Sequence, residues 1–103
     1  MTENINDKIV AWAAERGIDK PEGATKQLLK AFEELSELGV GYNKLDRDKM
    51  IDSMGDIQVV LIILAKQLGI DYEGSLQTAY DVIKDRTGKT VNGVFIKSED
   101  LKN

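Results

Sequence analysis

A chain of 103 residues is long enough for one core and too short for two, and 42% hydrophobic with 31% charged residues is ordinary globular composition. It contains no histidine and no cysteine, which excludes disulfides, the usual zinc and copper ligand sets, and any Ser-His or Cys-His nucleophile pair. A net charge of -4 and a pI near 4.8 argue against nucleic acid as a partner, since phosphate contact needs a basic surface.

The opening MTENINDKIV lacks the basic-then-apolar pattern of an export signal. The longest apolar run, 59–65, is far short of the roughly 20 residues a membrane span needs. No membrane association and a cytoplasmic location are therefore expected.

The first predicted helix runs from Asn4 or Asn6 to Arg16, with Gly17 as its stop and Ile5, Ile9, Trp12 and Ala13 as its apolar stripe. Residues 18–23 read as a loop broken by the only proline. A second helix is predicted over Ala24–Leu38, with Leu28, Ala31, Phe32, Leu35 and Leu38 at helical spacing, followed by a loop over 39–45. The third begins near Asp46 or Asp48, acids that complement its positive end, and stops at Gly69. Met50, Met54, Ile57, Leu61, Leu64 and Leu68 form its seam. A fourth helix spans Tyr72–Arg86, capped by Asp71. In 89–96, Asn92-Gly93 between β-prone runs signals a two-residue hairpin, and 98–103 reads as a frayed tail. The expectation is a single all-α domain over 1–103, a four-helix bundle with a small C-terminal β-hairpin.

The third helix is unusual. Asp52 and Asp56 project from the side opposite the Met50–Leu68 seam, and that side continues as Val59, Ile62 and Ile63. A helix apolar all round is buried all round. One reading is a tightly wrapped central helix; the other is an oligomer in which the helix packs on its own subunit and on a partner. In the second case the two acids stand at the edge of a buried interface, where paired carboxylates repel and need a shared cation. Gly55, costly in a helix interior, hints at a close approach there.

A second acidic group, Glu33, Glu34 and Glu37, lies on adjoining parts of the second helix. Taken alone it reads as a solvated charged face. If the two helices form an antiparallel hairpin, Glu34 and Glu37 approach Asp52 and Asp56 as an oxygen cage suited to Mg²⁺ or Mn²⁺, with positions left for phosphate oxygens.

These residues resemble the all-α nucleoside triphosphate pyrophosphohydrolases, the MazG-like superfamily, whose pattern is EExxE on one helix and ExxD on the next. Here the halves are Glu33-Glu34-Leu35-Ser36-Glu37 and Ser53-Met54-Gly55-Asp56, with Ser53 in place of the usual glutamate. The order Trp12-Ala13…Arg16-Gly17, Gln27…Lys30…Glu33-Glu34, Asp52…Gly55-Asp56 and 86–95 is similar to that of short phage-type members. The resemblance implies Mg²⁺-dependent hydrolysis of a (d)NTP to the monophosphate and pyrophosphate by a homodimer or homotetramer.

By the family's pattern Glu34, Glu37 and Asp56 are metal ligands and Glu33 serves a second ion or orients water; with Ser53 in place of the usual glutamate, either Asp52 supplies the fourth ligand or the site holds fewer metals. Lys30, Lys84, Arg86 and Lys89 are candidates for the phosphates, although RTGK lacks P-loop spacing and also reads as a basic helix end. Asp81 stands where many relatives carry an asparagine near the nucleotide. Trp12 and Tyr80 either stack on a base or belong to the core. The other functional class left open is a weak or inactive helical oligomer that binds a nucleotide or a partner protein.

Overall fold

The structure is a computed structural model that describes residues 4–101. Among them are four α-helices, two short 3-10 turns and one two-stranded antiparallel hairpin. The chain divides into two compact units, Met1–Tyr72 and Glu73–Asn103.

The first unit holds α1 (Ile5–Glu15), a 3-10 turn (Pro21–Gly23), α2 (Ala24–Asn43) and α3 (Arg47–Leu68). Asn4 caps α1, its side chain accepting from the Asp7 N–H at 2.8 Å. Asp46 caps α3 by accepting from the Lys49 N–H at 3.1 Å, and Gly69, left-handed at φ 70°, ends it. These termini fall where the sequence places them.

The predicted 39–45 loop does not exist. α2 continues to Asn43, past both glycines read as its stop. It ends instead in a Schellman motif whose left-handed residue is Leu45 (φ 55°), with the Asp46 N–H on the Gly41 carbonyl and the Leu45 N–H on that of Tyr42. A leucine gives no hint of that geometry. Gly41 is buried in the α2–α3 contact: a Cβ there would stand 3.3 Å from Lys49 Cβ and Cγ and from Met50 Cγ. It lets two backbones close up and breaks nothing.

That approach decides which faces pack. The non-exposed row of α2 is Gln27, Ala31, Glu34, Leu38 and Gly41, spaced by threes and fours toward α3. The expected stripe is rotated from it: Leu28, Phe32 and Leu35 are exposed. α3 buries Ser53, Val60, Ile62, Ile63, Ala65 and Gln67. Its predicted Met50–Leu68 seam lies at the border of this row, with Met54 and Leu68 about half exposed at 51% and 55%. Alternation by three and four located an apolar helix correctly but misjudged its deepest face. From α1 only Ala13 is buried.

The second unit comprises α4 (Tyr72–Ile83, reaching back one residue), β1 (Gly88–Val91) and β2 (Val94–Lys97). α4 stops about one turn short of the predicted Arg86. The hairpin is as expected, with Val91 opposite Val94 and positive φ at Asn92 (51°) and Gly93 (81°), the geometry of a type I′ turn. Ser98–Leu101, expected as part of a frayed tail, forms a 3-10 turn whose Ser98 N–H donates to the Thr87 carbonyl at 2.8 Å; residues 102–103 lie outside the described residues. No single helix among the described residues is long and apolar enough to cross a membrane.

The two glycines of α2 test the extended helix. Gly39 has nothing within 4 Å of an added Cβ, so Gly39→Ala should raise stability by about 0.5–1 kcal/mol through helix propensity. Gly41→Val should lower it by about 1–3 kcal/mol through overpacking. Urea unfolding that gave both changes the same sign would contradict the packing described.

Candidate functional site

Two close approaches set the register of α2 against α3. One is Gly41 on Lys49; the other is Gly23 on Gln67, where an added Cβ would stand 2.8 Å from Gln67 Nε2. Counting inward from either end, Glu34 comes level with Asp56, and Glu37 with Ser53. Glu34, half-buried on the inner row of α2, and the exposed Asp56 accordingly line one cleft of about 300 Å³. Lys30 lies on the same cleft, while Val59 and Ile63 form its apolar wall. α1 contributes Trp12, 46% exposed and therefore outside the core, with the Arg16 guanidinium 4.2 Å from its ring centroid. Its flank can stack on a planar ligand.

The other predicted acids do not join this pair. Glu37 is exposed and bound to Lys49 Nζ at 2.6 Å. Asp52 is exposed, one residue round the helix from Ser53, and is absent from the cleft lining. Glu33 points to solvent beside Glu34. Among the described residues no group of three or more acidic side chains converges. The four-carboxylate cage is therefore not assembled within one chain, and the register gives the reason. Ser53, only 4% exposed, occupies the level at which a carboxylate would face Glu37. Asp52 lies about 100° away around the helix and does not replace it.

The remaining candidates belong to the second unit. Asp81 accepts from Gln77 Nε2 at 3.0 Å and pairs with Lys84 Nζ at 3.3 Å, so the two are partners of each other. Arg86 lines a separate opening with Thr87, Lys97 and Ser98 at the base of the hairpin. Lys89 is exposed on β1 opposite Ile96, and Tyr80 is exposed on α4.

Sequence reasoning missed Lys49 and Gln67. Nothing in DRDKM marks Lys49 as Glu37's partner. Gln67 left a signal: it is the polar member of the otherwise apolar row Val60, Ile63, Gln67.

No known protein family matches the chain, and no solved structure matches it. It is similar, 43% identical over 69 residues, to an uncharacterised 18.2 kDa protein from the rep–hol intergenic region of Haemophilus phage HP1. The aligned stretch takes up 67% of this chain and 42% of the phage protein, so the chain spans less than half of that relative.

The Glu37–Lys49 pair makes a measurable prediction. The hydrogen bond from Lys49, and then its charge, hold the Glu37 carboxyl below its ordinary range, and the same contacts raise Lys49. Glu37's contribution to stability is thus present above the ordinary glutamate range and lost as pH falls through the lowered value. Side-chain carboxyl NMR should show Glu37 titrating at lower pH than it does in Lys49→Gln. Coincident curves in the two proteins would remove the pairing.

Proposed function

We propose that the chain is a MazG-like, Mg²⁺-dependent nucleoside triphosphate pyrophosphohydrolase of the cytoplasm, cleaving (d)NTP to (d)NMP and pyrophosphate in the cleft between α2 and α3. The observation that carries the reading is that Glu34 of α2 and Asp56 of α3 line one cleft, with Lys30 on the same lining. Two carboxylates fit a Mg²⁺ ion, which commonly takes one or two from the protein and completes its shell with water and phosphate oxygens. When bound, such an ion neutralises polyphosphate charge and activates water for attack.

The chain's own residues then divide the work. Glu34 and Asp56 supply the oxygen ligands, and Lys30 adds positive charge for the phosphates. Glu33, one position from Glu34 and open to solvent, orients or deprotonates the attacking water, because without histidine that task falls to a carboxylate. Trp12 flanks the base. Glu37 is held by Lys49 and Asp52 stands outside the cleft lining, so neither is a ligand within one chain.

A homodimer or homotetramer is part of the same proposal. Leu28, Phe32 and Leu35 of α2, with Ile51, Met54 and Leu68 of α3, are the apolar side chains a second copy would cover. Gly55, with nothing of its own chain within 4 Å of an added Cβ, leaves room there for a partner's backbone.

A second reading, a catalytically weak or inactive oligomer that binds a nucleotide or partner protein, is favoured by one observation. The buried Ser53 stands where a fourth carboxylate would face Glu37.

Pyrophosphate release from a panel of (d)NTPs with Mg²⁺ separates the two readings. At least one substrate should turn over, and Asp56→Asn and Glu34→Gln should each lower kcat/KM by about a hundredfold or more. No turnover in protein that still binds nucleotide would leave the second reading standing. In sedimentation equilibrium the wild type should run as a dimer or tetramer and Phe32→Glu should shift it toward monomer. A wild-type monomer at high concentration would end the oligomer.

A further inference from the structure

A second cleft, of about 290 Å³, is formed by the 17–23 turn and the start of α2, and its charged lining is Lys20, Lys26 and Lys30 against one carboxylate, Glu22. The chain as a whole carries a net charge of -4, and the cleft of Glu34 and Asp56 has the opposite balance, two acids and one lysine. Positive charge is thus gathered at one opening of an acidic protein. Among the described residues neither Lys26 nor Lys30 forms an ion pair. Lys20 stands 3.9 Å from Asp19 Oδ1, at the outer limit of pairing, with its side chain 63% exposed.

The helix itself gains little from these charges. Lys26 lies in the first turn of α2, at the positive end of its dipole, and Lys30 follows at i+4 as a like charge. Lys30 has Glu33 and Glu34 at i+3 and i+4 to offset it, whereas Lys26 has Leu29 and Lys30 there. Glu22 precedes Lys26 by four residues but belongs to the 3-10 turn, and the two are not paired. All three lysines are exposed, so a ligand in the cleft reaches them without disturbing the core. An anion between them would relieve their mutual repulsion.

The chemistry of that anion follows from the groups that face it. An ammonium is a point charge with three donors and no acceptor, suited to phosphate oxygens approaching from several directions. Three of them call for an oxyanion with more than one charge. Lys30 borders both this cleft and that of Glu34 and Asp56. From Glu34 back to Lys30 is one helical turn, about 6 Å along α2, and a further turn reaches Lys26. A polyphosphate held through a cation at the two carboxylates can therefore continue toward the start of α2, with its outer phosphates among the lysines. Trp12 borders the carboxylate cleft and not the lysine cleft, which leaves the base at the carboxylate end.

We propose that the cleft of the 17–23 turn holds the β- and γ-phosphates of the nucleotide, and the pyrophosphate released from them. Lys20 and Lys26 are its binding residues, and Lys30 bridges to the metal end. The inference rests on the reading of the Glu34–Asp56 cleft as the metal site.

Inorganic pyrophosphate is the probe, titrated into the full chain at one ionic strength, with and without Mg²⁺, by calorimetry and backbone amide NMR. Shifts should gather at residues 17–30 in the wild type. Lys20→Gln and Lys26→Gln should each raise Kd about tenfold or more, since each removes a hydrogen bond between charged groups. Lys8→Gln on α1 removes the same charge outside the cleft and should leave Kd within about twofold, because distant charges are screened. Equal losses in Lys8→Gln and Lys26→Gln would mean a response to net charge alone and overturn the assignment, as would shifts confined to other residues or no binding by the wild type. Turnover of (d)NTP that is lost in Asp56→Asn but unchanged in Lys26→Gln overturns the assignment and leaves the metal reading intact. Pyrophosphate bound by the lysines of a protein that turns over no (d)NTP supports the anion cleft and removes the hydrolase reading.

Discussion

Everything in the first unit depends on how closely α2 and α3 approach, and in what register. Gly41 is the place where a side chain on α2 would hold the helices apart, and Gly23, just before α2, lies against the end of the Gln67 side chain of α3. Between these contacts the pairing follows from helix geometry, since each residue advances 1.5 Å on either side. Glu34 comes level with Asp56 because of that register, and Glu37 with Ser53 for the same reason. A shift of one residue would turn every one of these side chains by 100° and scatter the pair. The packing and the chemistry of the cleft are thus one constraint.

The position opposite Glu37 shows what the register does with charge. A hydroxyl at Ser53 can be buried between helices far more cheaply than a carboxylate. The carboxylate left facing it finds its counter-charge one turn earlier, in Lys49. Both members of that pair are substantially exposed, so it adds little to stability. Its consequence is orientation: Glu37 is held toward the α3 N-terminus and away from Asp56. The cleft keeps two acids, Glu34 and Asp56.

Termini, the hairpin and the acidic helices were legible because each has a local cause. Asn4 and Asp46 accept first-turn N–H groups, Gly69 takes the left-handed cap, and Asn92-Gly93 makes the tight turn. The end of α2 was hidden because its left-handed residue is Leu45, while Gly39 and Gly41 resemble a stop and serve as helix. The site was half legible. Composition and spacing picked out Glu34 and Asp56, but whether Glu37 and Asp52 join them depends on facing residues from another helix. The apolar stripe of α2 misled for a related reason. Leu28, Phe32 and Leu35 have the right spacing for a core, yet spacing alone does not say whether the partner lies in the same chain.

The charges along α2 are sorted by sign. Lys26 and Lys30 stand four apart near its start, and Glu33, Glu34 and Glu37 stand three and four apart beyond them. Like charges at these spacings each destabilise a helix by about 0.2–0.5 kcal/mol. Lys26, in the first turn, also meets the positive end of the helix dipole. Lys30 offsets part of that cost, since it stands three and four residues before Glu33 and Glu34 as an opposite charge. It is also where the two clefts of the first unit share a lining, so that Lys26 at the start of α2 and Glu34 further along border neighbouring openings with Lys30 common to both.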